Sequence, residues 1–190
     1  MDIDGVILAA GESTRAGAFK MALEIDGKTV IERCIEGMRT VCGRIIVVGG
    51  FAIERITKIL GDYPHVEIVF NKDYKQGMFT SVKIGISDVH AQAFFLTPGD
   101  YPLIGGNVYR KMLEADDDIV IPTYNGRKGH PVLMRSHLIV QILAKPDSYN
   151  LRDFTRAKGY STIAVDDEAI LLDIDTIEDY ERMKERFERK

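Results

Sequence analysis

The feature that most constrains the fold is a regular alternation of short apolar runs with apolar stripes at helical spacing. Val6–Ala10, Ile45–Val48, Val66–Phe70, Ala93–Thr97, Ile119–Pro122, Val132–Met134 and Ile163–Val165 read as buried strands, and Ile170–Ile174 as one more. Between them lie stripes made by Val30, Cys34, Ile35 and Met38, by Ile53, Ile56, Ile59 and Leu60, and by Val82, Ile86 and Val89. A last helix, from about Ile177, presents Tyr180, Met183 and Phe187 on one face. Strands alternating with helices predict βαβ units on a mostly parallel sheet. The expected class is therefore α/β, a Rossmann-like three-layer sandwich. With 190 residues and no repeat, linker or low-complexity stretch, a single domain over 1–190 is expected. In such sheets ligands collect beyond the carboxyl ends of the strands.

The first run stops at Gly11, and a polar loop with Ser13, Thr14 and Arg15 leads through Gly17 to Lys20. Glycines let backbone N–H groups approach oxygens closely, and two cations can neutralise a polyphosphate. A Walker loop needs Lys directly after its second glycine, and here Lys20 comes three residues later. The dinucleotide fingerprint G-x-G-x-x-G is absent as well. Taken alone, the residues leave open a phosphate-holding loop or an ordinary strand-to-helix turn with exposed charges.

A net charge of −4 argues against general binding to nucleic acid, which normally shows a basic footprint. No apolar run approaches a membrane span, and the opening MDIDG leads straight into a strand without a secretory pattern. Cys34 and Cys42 have no metal spacing around them, so reduced structural thiols and a cytoplasmic location are expected.

LAAGESTRAGAFK resembles the signature L-A-x-G-x-S-x-R-x-G-x-x-K of the MobA-like nucleotidyltransferases, above all their molybdenum cofactor cytidylyltransferase branch. QGMFTSVKIGI (76–86), TPGDYPLI (97–104), GRKGHPVLM (126–134) and DIDTIEDY (173–180) fit in the same order, so the resemblance spans essentially the whole chain. It implies a fold like that of nucleotide-diphospho-sugar transferases. It also implies an enzyme that moves a nucleoside monophosphate, CMP from CTP, onto the terminal phosphate of an acceptor such as molybdopterin, with Mg²⁺ and release of pyrophosphate. A handover of product to a molybdoenzyme or chaperone would follow. Carried over residue by residue, Arg15, Lys20 and Asp100 are catalytic. Leu8, Ala9, Ala10, Gly11, Ser13, Gly77 and Ser81 join those three around the nucleotide. Tyr101, Arg127 and His130 face the acceptor, and Asp100 with Asp175 holds the metal.

The residues themselves support parts of this. Phe94-Phe95-Leu96 predicts a buried strand, and Thr97-Pro98-Gly99 turns to present Asp100 at its end, too far from Gly106 to cap the next helix. Magnesium typically takes one or two carboxylates plus substrate phosphates. Asp175 reads either as a ligand or as the N-cap of the final helix in Asp175-Thr176-Ile177-Glu178, and Asp173 reads as structural. Ser81 reads as a base contact or as a helix-start hydroxyl satisfying its own backbone. Ala10 stands where guanylyl members carry glycine, which favours the smaller base. Gly126 and Gly129 make the basic loop around Arg127 and Lys128 pliable, with His130 just before Pro131, while His65, His90 and His137 show no pattern. An acceptor phosphate is already anionic, so no nucleophilic serine or cysteine is needed, and none is signalled. Departures from the family are Ala16, Tyr101 and Ile177; they leave a sugar 1-phosphate as a rival acceptor, and a non-catalytic nucleotide-binding protein as the rival class.

Overall fold

The computed structural model describes residues 2–12 and 19–188. The apolar runs become strands β1 (Ile3–Ala9), β4 (Arg44–Gly49), β5 (Val66–Phe70), β6 (Ala93–Pro98), β7 (Ile119–Tyr124), β9 (Val132–Arg135) and β10 (Ser161–Ala164). Short strands β2 (Glu24–Ile25) and β3 (Lys28–Thr29) form a separate hairpin, and β8 (Arg127–Lys128) folds back on β7. The helices are α1 (Val30–Met38), α2 (Ile53–Leu60), α3 (Met78–Ser87), α4 (Gly106–Met112), α5 (Ile139–Leu143), α6 (Leu151–Lys158) and α7 (Ile177–Glu188).

The sheet order is β10-β7-β9-β6-β1-β4-β5. β1 pairs in parallel with both β4 and β6, β4 with β5, and β7 with β10, while β9 runs antiparallel between β6 and β7. The mostly parallel sandwich is thus as expected. Alternation along β1 shows how the layers form: Ile3, Ile7 and Ala9 enter the core shared with α1, α2 and α4. Val6 and Leu8 enter the opposite core, shared with α3, α5 and α6. The α1 stripe is set in place by a capping box, Thr29 with Glu32. In α7, Met183 is buried, with Tyr180 and Phe187 packed beside it. No helix among the described residues is long and apolar enough to cross a membrane.

Two expectations need correcting. Ile170–Ile174 is not a strand: a 3-10 turn covers Glu168–Leu171, and the chain then runs irregularly to the start of α7. Its backbone is satisfied by loops instead of a ladder. Asp167 Oδ1 accepts from Ala169 N–H at 2.9 Å, Ile170 C=O accepts from His130 N–H at 2.9 Å, and Ile174 N–H donates to Asp100 C=O at 3.0 Å. The second concerns the basic segment around Arg127 and Lys128, expected as a loop: these two residues pair with β7 as a strand. Asn125 (φ 48°) and Gly126 (φ 75°) make a two-residue turn joining β7 to β8. Both residues adopt the left-handed region that such hairpins require.

Candidate active site

The carboxyl ends of β1 and β6 lie side by side and are stitched together beyond the ladder. Gly99 N–H donates to Leu8 C=O at 2.8 Å, and Phe51 N–H, beyond β4, donates to Ala10 C=O at 3.1 Å. Leu8, Ala9 and Ala10 are buried, whereas Gly11 stands exposed with open space around it. Gly50 lies so close to Ala10 C=O and the Tyr74 side chain that a Cβ there would come within 2.8 Å of both. Ser13 and Arg15 lie outside the described residues.

Lys20, on a 3-10 turn, is drawn into the interior. Its Nζ lies 3.2 Å from Asp100 Oδ2, 3.2 Å from Asp175 Oδ1 and 2.6 Å from Ile174 C=O. The last loop reaches this point because Ile174 N–H is bound to the backbone of Asp100. Asp173 belongs to the same group: carboxylate oxygens of Asp100, Asp173 and Asp175 lie within 4.8 Å of one another. Asp173, expected to be structural, is therefore placed at the site as well. Burial pushes the Asp100 carboxyl above its ordinary range, with Asp173 adding to the effect and Lys20 opposing it. Asp100 Oδ1 is buried and has no hydrogen-bond partner among the described residues.

Asp175 does not cap the final helix, because the cap sits one residue further on. Thr176 Oγ1 accepts from Asp179 N–H at 3.2 Å, and Asp179 Oδ2 accepts from Thr176 N–H at 2.9 Å and from Asp175 N–H at 3.2 Å. The box is thus Thr176 with Asp179, and the Asp175–Glu178 cap is set aside. These donors hold the Asp179 carboxyl below its usual range, against the opposing effect of burial. An all-oxygen set with an unpartnered buried oxygen fits a hard divalent cation.

Gly77 has φ 122°, a conformation only glycine adopts readily, and it starts α3. Ser81, one turn along, is buried, and its Oγ accepts from Asn71 Nδ2 at 2.8 Å; the same amide donates to Thr80 Oγ1 at 2.9 Å. Asn71 Oδ1 accepts from Asp73 N–H at 2.9 Å, so this fully buried amide sets the loop that delivers Gly77.

Beside the carboxylates an open cleft of about 1170 Å³ runs from Leu8 and Met78 past Tyr101 to His130, Arg127 and Arg152. All three residues expected at the acceptor line it, but of the described residues of the nucleotide set only Leu8 does. The Tyr101 and His130 rings pack in a tilted contact, 4.7 Å between centres and 59° between planes. His130 Nδ1 is buried without a partner among the described residues. Burial, with the nearby Arg152 charge, lowers the His130 pKa to about 4.

A sequence model described as the MobA-like NTP transferase domain matches residues 5–163. The chain belongs to this family of nucleotidyltransferases. It is 33% identical to the molybdenum cofactor cytidylyltransferase of Escherichia coli over 186 residues, 97% of each chain. In structure it resembles a nucleotidyl transferase from Methanothermobacter (TM-score 0.85, 21% identity, covering 99% of this chain and 98% of that one). It also resembles Rv0371c of Mycobacterium tuberculosis in a complex with manganese (TM-score 0.80, 22% identity, covering 97% and 99%). These two likenesses establish the fold.

The sequence reading of this transferase missed Asn71 and Arg152. Asn71 stands at the end of β5 with hydroxyls at 80 and 81, a pattern with no periodicity to announce it. Arg152 lies two residues after the N-cap Asn150, whose Oδ1 accepts from Asp153 N–H at 2.8 Å; the sequence reading marked neither this cap nor the helix it starts.

Proposed function

We propose that the protein transfers CMP from CTP to the terminal phosphate of a molybdopterin-type acceptor, with Mg²⁺ as the cation and pyrophosphate as the leaving group. The observation that carries this reading is the Lys20 ammonium set against Asp100 and Asp175. It joins the cation of the first loop to the carboxylates where the family handles triphosphate and metal. The near full-length likeness to a cytidylyltransferase supports CTP as donor, and Ala10, where guanylyl relatives carry glycine, agrees with a smaller base.

In this reading Lys20, with Arg15 from the loop, balances charge on the β- and γ-phosphates. Asp100 and Asp175, joined by Asp173, would hold the magnesium ion, which when bound offsets the negative charge of the triphosphate. An acceptor phosphate oxygen forms the new bond to the α-phosphorus. The bond from that phosphorus to the α,β-bridging oxygen breaks in line, and the electron pair leaves with pyrophosphate. The acceptor phosphate is anionic near neutral pH, so no residue has to remove a proton. Tyr101, His130 and Arg127 line the cleft that would seat the acceptor. With its pKa near 4, His130 is neutral at pH 7 and contacts the acceptor without adding charge.

The test is pyrophosphate release with each NTP, Mg²⁺ and a panel of acceptors. Turnover with CTP and molybdopterin is expected. Turnover confined to sugar 1-phosphates, or none with any acceptor, overturns the reading.

A further inference from the structure

We propose that Cys34 is a positioning residue for Asp100, its thiol fixing the peptide unit that leads into that carboxylate. This rests on the transferase reading above and assigns one more residue to it. Cys34 lies on the inner face of α1 and is only 2% exposed. Its Sγ donates to Gly99 C=O at 3.1 Å. That carbonyl shares a planar peptide unit with Asp100 N–H, so a donor on it holds the plane from which the Asp100 side chain departs. The thiol also interacts with the backbone of Tyr101, directly after Asp100. Burial pushes the thiol pKa up, so at neutral pH the sulfur carries the proton that it donates. A buried thiol of this kind is inert as a nucleophile, and its part is to support.

Support is needed at this point because no ladder or helix supplies it. β6 ends at Pro98, and α4 begins only at Gly106. The turn between them is held by close approach to α1 and to the first loop. A Cβ at Gly99 would come 2.9 Å from Met21 Sδ, beside Lys20. A Cβ at Gly37, one turn beyond Cys34 on α1, would collide with Ile104 C=O. One face of α1 therefore seats both ends of the turn, with a thiol at Gly99 and a missing side chain at Ile104. Ile174 N–H donates to Asp100 C=O at 3.0 Å, which pins the following peptide unit. The units on either side of the Asp100 Cα thus each carry a donor on their carbonyl, and Lys20 Nζ, 3.2 Å from Oδ2, sets the carboxylate itself. Packing alone would require a small apolar side chain at position 34 and no donor, which separates the two roles by experiment.

The experiment compares the wild type with Cys34→Ser, which keeps a donor, and with Cys34→Ala and Cys34→Val, which do not. Each is first shown to be folded by circular dichroism, and its stability is read from urea unfolding. Cys34→Val keeps the side-chain volume and carries the comparison should the alanine variant not fold. In pyrophosphate release with CTP, Mg²⁺ and molybdopterin, kcat is expected to fall about five- to tenfold in the alanine and valine variants, the loss of about one hydrogen bond, with the KM for CTP little changed. The serine variant is expected to keep a kcat near that of the wild type even where it is less stable than the valine variant. Mn²⁺ binding in the presence of a non-hydrolysable CTP analogue, followed by calorimetry, is expected to weaken in the same two variants and not in Cys34→Ser. The ¹⁵N NMR signal of the Asp100 amide, which shares its peptide unit with Gly99 C=O, should move further in Cys34→Ala and Cys34→Val than in Cys34→Ser. A serine variant as impaired as the other two, losses that follow stability across all three, alanine and valine variants as active as the wild type, or an Asp100 amide signal that stays in place overturns the proposal. The amide signal needs no turnover, so a failure of the functional reading shows separately, as a wild type that releases no pyrophosphate.

Discussion

Acidification is the most direct test of the environment assigned to His130. An unfolded histidine titrates near 6.5, whereas burial and the charge of Arg152 lower the folded value to about 4. Between these two values the unfolded chain binds the proton and the folded chain does not. The stability contributed is therefore complete above pH 6.5, declines as pH falls, and is fully lost below about pH 4. Linkage with these two constants gives a loss of about 2 kcal/mol between pH 7.5 and 5.0, and a total of about 3 kcal/mol by pH 4. Set against a typical stability of about 5–15 kcal/mol, this is easily read. The assay is urea unfolding at 25 °C across that pH range for the wild type and His130→Gln. Their difference isolates the histidine from the carboxylates, among which Asp100, with its raised value, acts in the opposite sense. The variant is expected to lose about 2 kcal/mol less than the wild type between pH 7.5 and 5.0. Parallel pH profiles, or a folded-state histidine titrating near 6.5 by NMR, would refute the reasoning.

Asp100→Asn is expected to keep a cooperative melt and native circular dichroism while pyrophosphate release falls about 10³-fold, because it removes the charge of a proposed metal ligand and weakens the Lys20 contact; activity within tenfold of wild type would exclude Asp100 as a ligand. Asn71→Ala takes away the donor to Thr80 and Ser81 and the acceptor of Asp73 N–H, and should cost about 1–3 kcal/mol and raise the KM for CTP more than that for the acceptor. Equal stability in urea would show the amide to be dispensable. Gly85→Ala would set a Cβ 2.5 Å from Val6 Cγ1 and 2.8 Å from Val48 Cγ2, so helix propensity should lose to overpacking by about 1–2 kcal/mol of stability; a stabilised variant would show that these valines give way.

Legibility in the sequence followed the range of the forces involved. Strands such as Ala93–Pro98 could be read because burial on both faces selects a continuous apolar run, and α1 because its apolar stripe repeats at helical spacing. Ile170–Ile174 misled for the same reason. It is apolar because Ile170 and Ile174 are buried, but the hydrogen bonds that decide its backbone go to His130 and Asp100, far away in the chain. The antiparallel place of β9, between two strands preceding it in the chain, is likewise a matter of pairing, which composition does not encode.

The carboxylate cluster shows where local patterns and tertiary contacts part. Asp100 could be singled out from the turn that ends β6, since Thr97, Pro98 and Gly99 stand directly before it, although Lys20 and Ile174, which hold it, are far away in the chain. Asp173 reads as structural from the sequence and Asp175 as either ligand or cap, and the second choice depends on which residue caps α7. Moving that cap from Asp175 to Thr176 puts a hydroxyl and the Asp179 carboxylate on the orphan amides, while Asp175 Oδ1 faces Lys20 at 3.2 Å. A one-residue shift in a helix start thus decides whether a carboxylate stabilises secondary structure or joins the site. For the same reason Thr176→Val should act at a distance. With its hydroxyl gone, Asp175 is the nearest substitute cap, and the helix would draw that carboxylate away from Lys20. If Mn²⁺ bound with the CTP analogue is held no less tightly in Thr176→Val than in the wild type, the cap and the cluster are not linked in this way.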